Sequence, residues 1–108
     1  MSVEIHDNSK EVSDNIKAAL LRGLETCGLV AEGYAKKLAP VDTGNLRNSI
    51  THDVDGEEPA VYIGTNVEYA PYQELGTINM EANPFLKPAV ADHANEYRKI
   101  IEKELKNG

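Results

Sequence analysis

Apolar and small residues return at three- and four-residue steps from Val12 through Ile16, Ala19, Leu20, Gly23, Leu24, Cys27, Val30, Ala31 and Tyr34 to Leu38. That spacing predicts one long amphipathic helix over residues 9–38. Asn8 or Ser9 stands where a cap is needed, and Glu11 falls in the first turn, where the helix dipole favours a negative charge. Pro40 ends the helix, because the residue before a proline leaves the helical region. Gly23 and Gly28 each weaken it by about 1 kcal/mol relative to alanine. They mark a bend or a close helix contact. Residues 1–8 are polar and read as a flexible N-terminus, which leaves a single domain over 9–108.

A chain of 108 residues supports one modest core. Folding at this size buries roughly two-thirds of the unfolded surface, and a ligand cavity cut into so small a core is costly. The residues that follow the helix alternate. Leu46, Asn48, Ile50, His52 and Val54 would share one face of a strand. Asp55-Gly56 is a hairpin turn signal, extended by Glu57-Glu58-Pro59. Ala60-Val61-Tyr62-Ile63-Gly64-Thr65 reads as the returning strand, from its β-branched and aromatic content. Tyr69, Tyr72 and Leu75 suit a short helical turn ended by Gly76, followed by a surface loop to Pro84. Proline at 84 and 88 is tolerated only at or before a helix start. Beyond them Leu86, Ala89, Val90, His93 or Ala94, Tyr97, Ile100, Ile101 and Leu105 form a second helical stripe. The expected fold class is α+β: a long N-terminal helix, an antiparallel hairpin or small sheet, and a C-terminal helix, in two layers.

Charge and composition narrow the function classes. Eleven basic residues face 18 acidic ones, for a net charge of -7, with no Lys/Arg cluster in the sequence. Grasping of DNA phosphates is disfavoured, since such binders show a basic face. An acidic surface suits a wall that DNA slides past, and equally serves solubility. The lone Cys27 allows no intrachain disulfide and no thiolate zinc site. In its helical setting it reads as a buried thiol. The N-terminus lacks the basic start and apolar core of a signal peptide, and no run approaches the roughly 20 apolar residues of a membrane span. Folding in the cytoplasm and no membrane partner are therefore expected.

No constellation for catalysis stands out. His6, His52 and His93 are not paired at a metal-ligand spacing. Cys27, Thr43 and Ser49 lie in no nucleophile elbow, although proximity to a histidine in space stays open. The acids Asp53, Asp55, Glu57 and Glu58 cluster at the hairpin tip, where solvated turn formers belong. No enzyme activity, cofactor or metal is expected. Asp42, Thr43 and Gly44 read as a structural turn, with Asp42 accepting backbone N–H groups and Gly44 supplying a positive φ. Arg47 is read as an outward strand residue, either an ordinary surface arginine or one partner of an intersubunit pair with a carboxylate such as Glu74. Tyr62, Tyr69 and Tyr72 are three of five tyrosines within eleven residues, a content that fits an interface or a core edge. Met80 is a further loop candidate for contact.

Four segments in order carry a resemblance: Pro40-Val41-Asp42-Thr43-Gly44-Asn45-Leu46-Arg47-Asn48-Ser49-Ile50, then Tyr62-Ile63-Gly64-Thr65, then 69–77, then Pro84-Phe85-Leu86-Lys87-Pro88-Ala89. Together, over roughly residues 12–105, they resemble the small tail-component proteins of long-tailed bacteriophages and prophages. Leu75 departs mildly from the family pattern, standing where a phenylalanine is expected. The resemblance implies a non-enzymatic structural part that joins head to tail or completes the tail. It implies a ring of identical subunits at the neck, contacts with other neck and tail proteins, and DNA only passing through the channel. The expected place is the virion, at the head–tail junction or tail end, after assembly in the host cytoplasm. Interface residues expected under it are Arg47, Tyr69, Tyr72, Glu74 and Met80. Two other classes stand beside it. One is a small cytoplasmic adaptor or regulator using the same tyrosine-rich segment. The other is a small enzyme using His52 or Glu74.

Overall fold

The computed structural model describes residues 2–6, 14–39, 45–76, 78 and 81–107. Helix α1 runs Asp14–Leu38, and the predicted caps at 8, 9 and 11 lie outside the described residues. Its buried side is Ala19, Leu20, Gly23, Leu24, Cys27, Gly28, Ala31 and Ala35, a stripe of mostly small residues that lets other elements approach closely. Lys36 and Lys37 occupy its last turn, where the dipole favours cations.

Three antiparallel strands follow the order β1-β3-β2. Strand β1 is Ser2–His6, β2 is Thr51–Asp55 and β3 is Ala60–Gly64. The central β3 pairs Val61 with both Ile5 and Val54, and Ile63 with both Val3 and His52. Val61 and Ile63 are fully buried against the helices. Strand β2 alternates, with His52 and Val54 turned inward and Thr51, Asp53 and Asp55 exposed. Residues 2–6, expected to be part of a flexible N-terminus, thus extend the hairpin to a three-stranded sheet.

Leu46 and Ile50 correct the predicted strand. They belong to a short helix, α2 Asn45–Ser49, and the residue that closes it. A spacing of four puts two apolar residues on one face of either a helix or a strand, so periodicity alone does not separate the two. Local bonds decide for the helix: the Ser49 hydroxyl donates to the Leu46 carbonyl at 2.6 Å and the Ile50 N–H to the Arg47 carbonyl at 3.3 Å. Both Leu46 and Ile50 are fully buried.

The C-terminal stripe also divides. Helix α4 is Leu86–Ala91 and α5 is Ala94–Asn107. Leu86 and Ala89 of α4 sit in the core with Phe85, while α5 lies along α1. The α1–α5 contact is antiparallel. Gly23 meets Ile101, the Cys27 thiol donates to the Tyr97 carbonyl at 3.6 Å, and the Tyr34 hydroxyl donates to the Glu96 carboxylate at 2.7 Å. The resulting class is α+β, as expected.

Candidate functional site

Two regions gather the sequence-predicted residues. The first is helix α3, Ala70–Leu75, with the segment after it. Pro71 starts the helix and Gly76 ends it at φ 78°, in the left-handed region, its N–H donating to the Tyr72 carbonyl at 2.8 Å. Tyr69 precedes α3 and packs against the core. Tyr72 turns away from the core, 57% exposed, together with Leu75 at 72% and Ile78 at 103%. Tyr72 and Leu75 share one face of α3 at a three-residue spacing. Leu75 and Ile78 were not among the expected contact residues. Leu75 carried a signal in its three-residue spacing from Tyr72, and Ile78 none beyond being apolar.

Glu74 sits on the opposite side of α3 and is only 5% exposed. Its carboxylate accepts the N–H groups of Phe85 at 3.1 Å, Leu86 at 2.9 Å and Lys87 at 3.2 Å. Those are the first donors of α4, which have no partner within the helix. The next position is Pro88, which has no N–H to satisfy. One side chain therefore closes the whole start of α4 and ties it to α3. Within its own chain Glu74 is thus engaged by the start of α4.

The second region lies at the C-terminal end of α1. Arg47 is on α2, not on a strand, and is half-buried. Its Nε is buried without a hydrogen-bond partner among the described residues. A buried donor left unmatched costs about 1–3 kcal/mol. Arg47, Lys36 and Lys37 line an open groove of about 340 Å³. Met80, Asp42, Thr43 and Gly44 lie outside the described residues.

The groups that suggested chemistry are otherwise engaged. His52 lies between two α1 carboxylates, Nε2 to Glu25 at 2.6 Å and Nδ1 to Glu32 at 3.1 Å. Burial works against its proton, but the hydrogen bonds and charges of Glu25 and Glu32 outweigh it, and the pKa is raised. Gly28 makes room for the ring: a Cβ there would stand 2.6 Å from His52 Cδ2. Burial pushes the Cys27 thiol up to about 11, aided by the charge of Glu96, which keeps it from forming a nucleophilic thiolate. His93 stacks on Tyr34 at 3.6 Å with the rings parallel. Ser49 and Thr65 share a hydroxyl–hydroxyl bond of 2.5 Å. Among the described residues no group of three or more His, Cys, Asp or Glu is arranged to hold a metal, and no helix is long and apolar enough to cross a membrane.

The row Tyr72, Leu75 and Ile78 stands exposed beside the packed core. Residues 4–76 match the model of the HK97-gp10-like family, described as "Bacteriophage HK97-gp10, putative tail-component". The chain belongs to this family. The match takes in the end of β1, then α1, α2, the hairpin and α3, and ends at Gly76, so the resemblance read around residues 84–89 falls outside it. No curated protein and no solved structure gives a significant match. Membership makes this a phage structural protein of the tail-component class, with other tail proteins as partners and the virion as its place.

Proposed function

We propose that the protein joins head to tail or completes the tail, as one subunit of a ring at the neck, with DNA passing through the channel unread and no catalytic step. The observation that carries this reading is the outward row Tyr72, Leu75 and Ile78 in a member of a tail-component family. A contiguous patch of exposed apolar side chains marks an interaction surface. A ring needs a heterologous contact, in which one patch meets a different patch on the next copy. The α3 row supplies one such patch, with Met80 as a further contact in the same segment. Tyr69 and Glu74, turned inward, hold the row in place. Arg47 belongs to a second patch at the end of α1.

The test is electron microscopy of an induced lysate with the gene deleted. Filled heads separate from free or aberrant tails are expected. Normal infectious particles overturn the reading.

A further inference from the structure

The hairpin and the Arg47 groove carry opposite charge at opposite ends of α1. Asp53, Asp55, Glu57 and Glu58 are all exposed on β2 and the turn at 56–59. The turn is pinned by Asp55, whose Oδ1 accepts the N–H of Glu57 at 2.9 Å, and by the Tyr62 hydroxyl donating to Glu58. Gly56 in that turn lies beside Leu21, since a Cβ on it would stand 3.7 Å from Leu21 Cδ1. Lys37 is sixteen residues further along the same helix, which is about 24 Å at the helical rise. The acidic turn at 56–59 therefore lies far from the groove of its own chain.

We propose that the groove receives the acidic hairpin of a second copy of this chain, its carboxylates meeting Arg47, Lys36 and Lys37. The proposal rests on the ring reading above and names one of its contacts. Three features support a carboxylate in this groove. Arg47 keeps a buried donor with no partner among the described residues. Lys37 lies over the face of Tyr34, its Nζ 5.8 Å from the ring centroid, a contact that leaves its charge open to a carboxylate. Lys36 pairs with Glu32 at 3.4 Å, but Glu32 also bonds His52 at 3.1 Å, so one carboxylate is divided between two partners. The lysines alone are explained by the dipole of α1; Arg47 comes from another helix and is not. A second copy is favoured over nucleic acid because a net charge of -7 repels phosphate. Hairpin into groove is also a contact between unlike patches, the type that closes a ring by rotation.

Charge exchange tests it. A groove variant, Lys36→Glu with Lys37→Glu, and a hairpin variant, Asp53→Lys with Glu57→Lys, are purified, and circular dichroism verifies the fold of each. Arg47 is left in place so that its buried nitrogen does not confound folding. Sedimentation velocity at low salt is expected to show wild-type self-association, weakened about tenfold in either variant alone. Mixing the two variants is expected to restore association, because every contact then pairs opposite charges. Wild type that stays monomeric, or variants that associate as wild type does, or a mixture without rescue, overturns the proposal. Association indifferent to these charges leaves the ring reading standing, whereas normal particles from the deletion lysate remove the ring reading itself.

Discussion

His52 is the residue at which local electrostatics and tertiary structure are most tightly joined. Both ring nitrogens face carboxylates, so both must carry hydrogen to bond them, and only the imidazolium does so. The groups facing the ring are Glu25 and Glu32 from α1, with Gly28 beneath it and Val61 beside it on β3. The folded pKa is raised above the unfolded value, so the protonated clamp stabilises the fold fully below the ordinary histidine pKa of about 6.5. That contribution is lost as pH rises through the folded value. We expect the melting temperature of the wild type to fall across that window. The His52→Gln variant is expected to lack this part of the slope. Thermal melts by circular dichroism over a pH series measure the difference, and His6 and His93, present in both proteins, cancel. Parallel curves for the two proteins would remove His52 as the source.

At the scale of elements, α1 is shaped by which of its glycines face something. Gly28 faces His52 and Val61: a Cβ at this position would stand only 2.6–2.9 Å from three of their atoms. Neither neighbour yields easily, since His52 is clamped and Val61 is in the centre of the sheet. Gly33 has nothing within 4 Å among the described residues. Alanine at either position gains about 1 kcal/mol of helix propensity. At Gly28 that gain is outweighed by overpacking, and Gly28→Ala is expected to destabilise by about 1–2 kcal/mol net. Gly33→Ala is expected to stabilise by up to about 1 kcal/mol. Melts of the two single variants should move in opposite directions by several degrees, about 4–8 °C per kcal/mol. In the sequence these glycines look alike, and only the facing elements separate them. The same distinction governs what was legible. Helix α1, the β2–β3 hairpin and the stop at Gly76 are set by neighbours in the chain and were readable as such. Leu46 and Ile50 were readable as buried but not as helical, because their spacing serves both structures. Glu74 was not readable as a cap, because its three donors are 11–13 residues away and α4 begins at a proline-rich stretch that shows no capping residue. Strand β1 offered a weak alternation, Val3 and Ile5 between polar residues, too short to outweigh its polar surroundings.

At the scale of the whole molecule the distribution of exposed groups separates assembly from folding. The core draws on every layer, from Leu20 and Leu24 of α1 through Val61 and Ile63 of the sheet to Phe85, Leu86 and Tyr97. Tyr72, Leu75 and Ile78 contribute nothing to it, and Tyr69, only a few residues away, packs on its edge. The sequence marked Tyr69 and Tyr72 as equals; Tyr69 precedes α3 and packs on the core, whereas Tyr72 lies within the helix and is exposed. Replacing the three outward residues together, as Tyr72→Ser, Leu75→Ser and Ile78→Ser, is therefore expected to shift stability by no more than about 0.5 kcal/mol per site, the usual range for surface changes. The same protein is expected to fail to restore joined particles when supplied to the deletion lysate. Tyr69→Ala is expected to behave the other way, with a lowered melting temperature as its first effect. Plaque titre from the complemented lysate, read beside the melting curve of each purified variant, separates the two cases. A full titre from the triple variant would remove the α3 row from the joining contact. A lowered titre with an unchanged melt can arise only from a surface that acts between molecules, because the fold that presents it is intact.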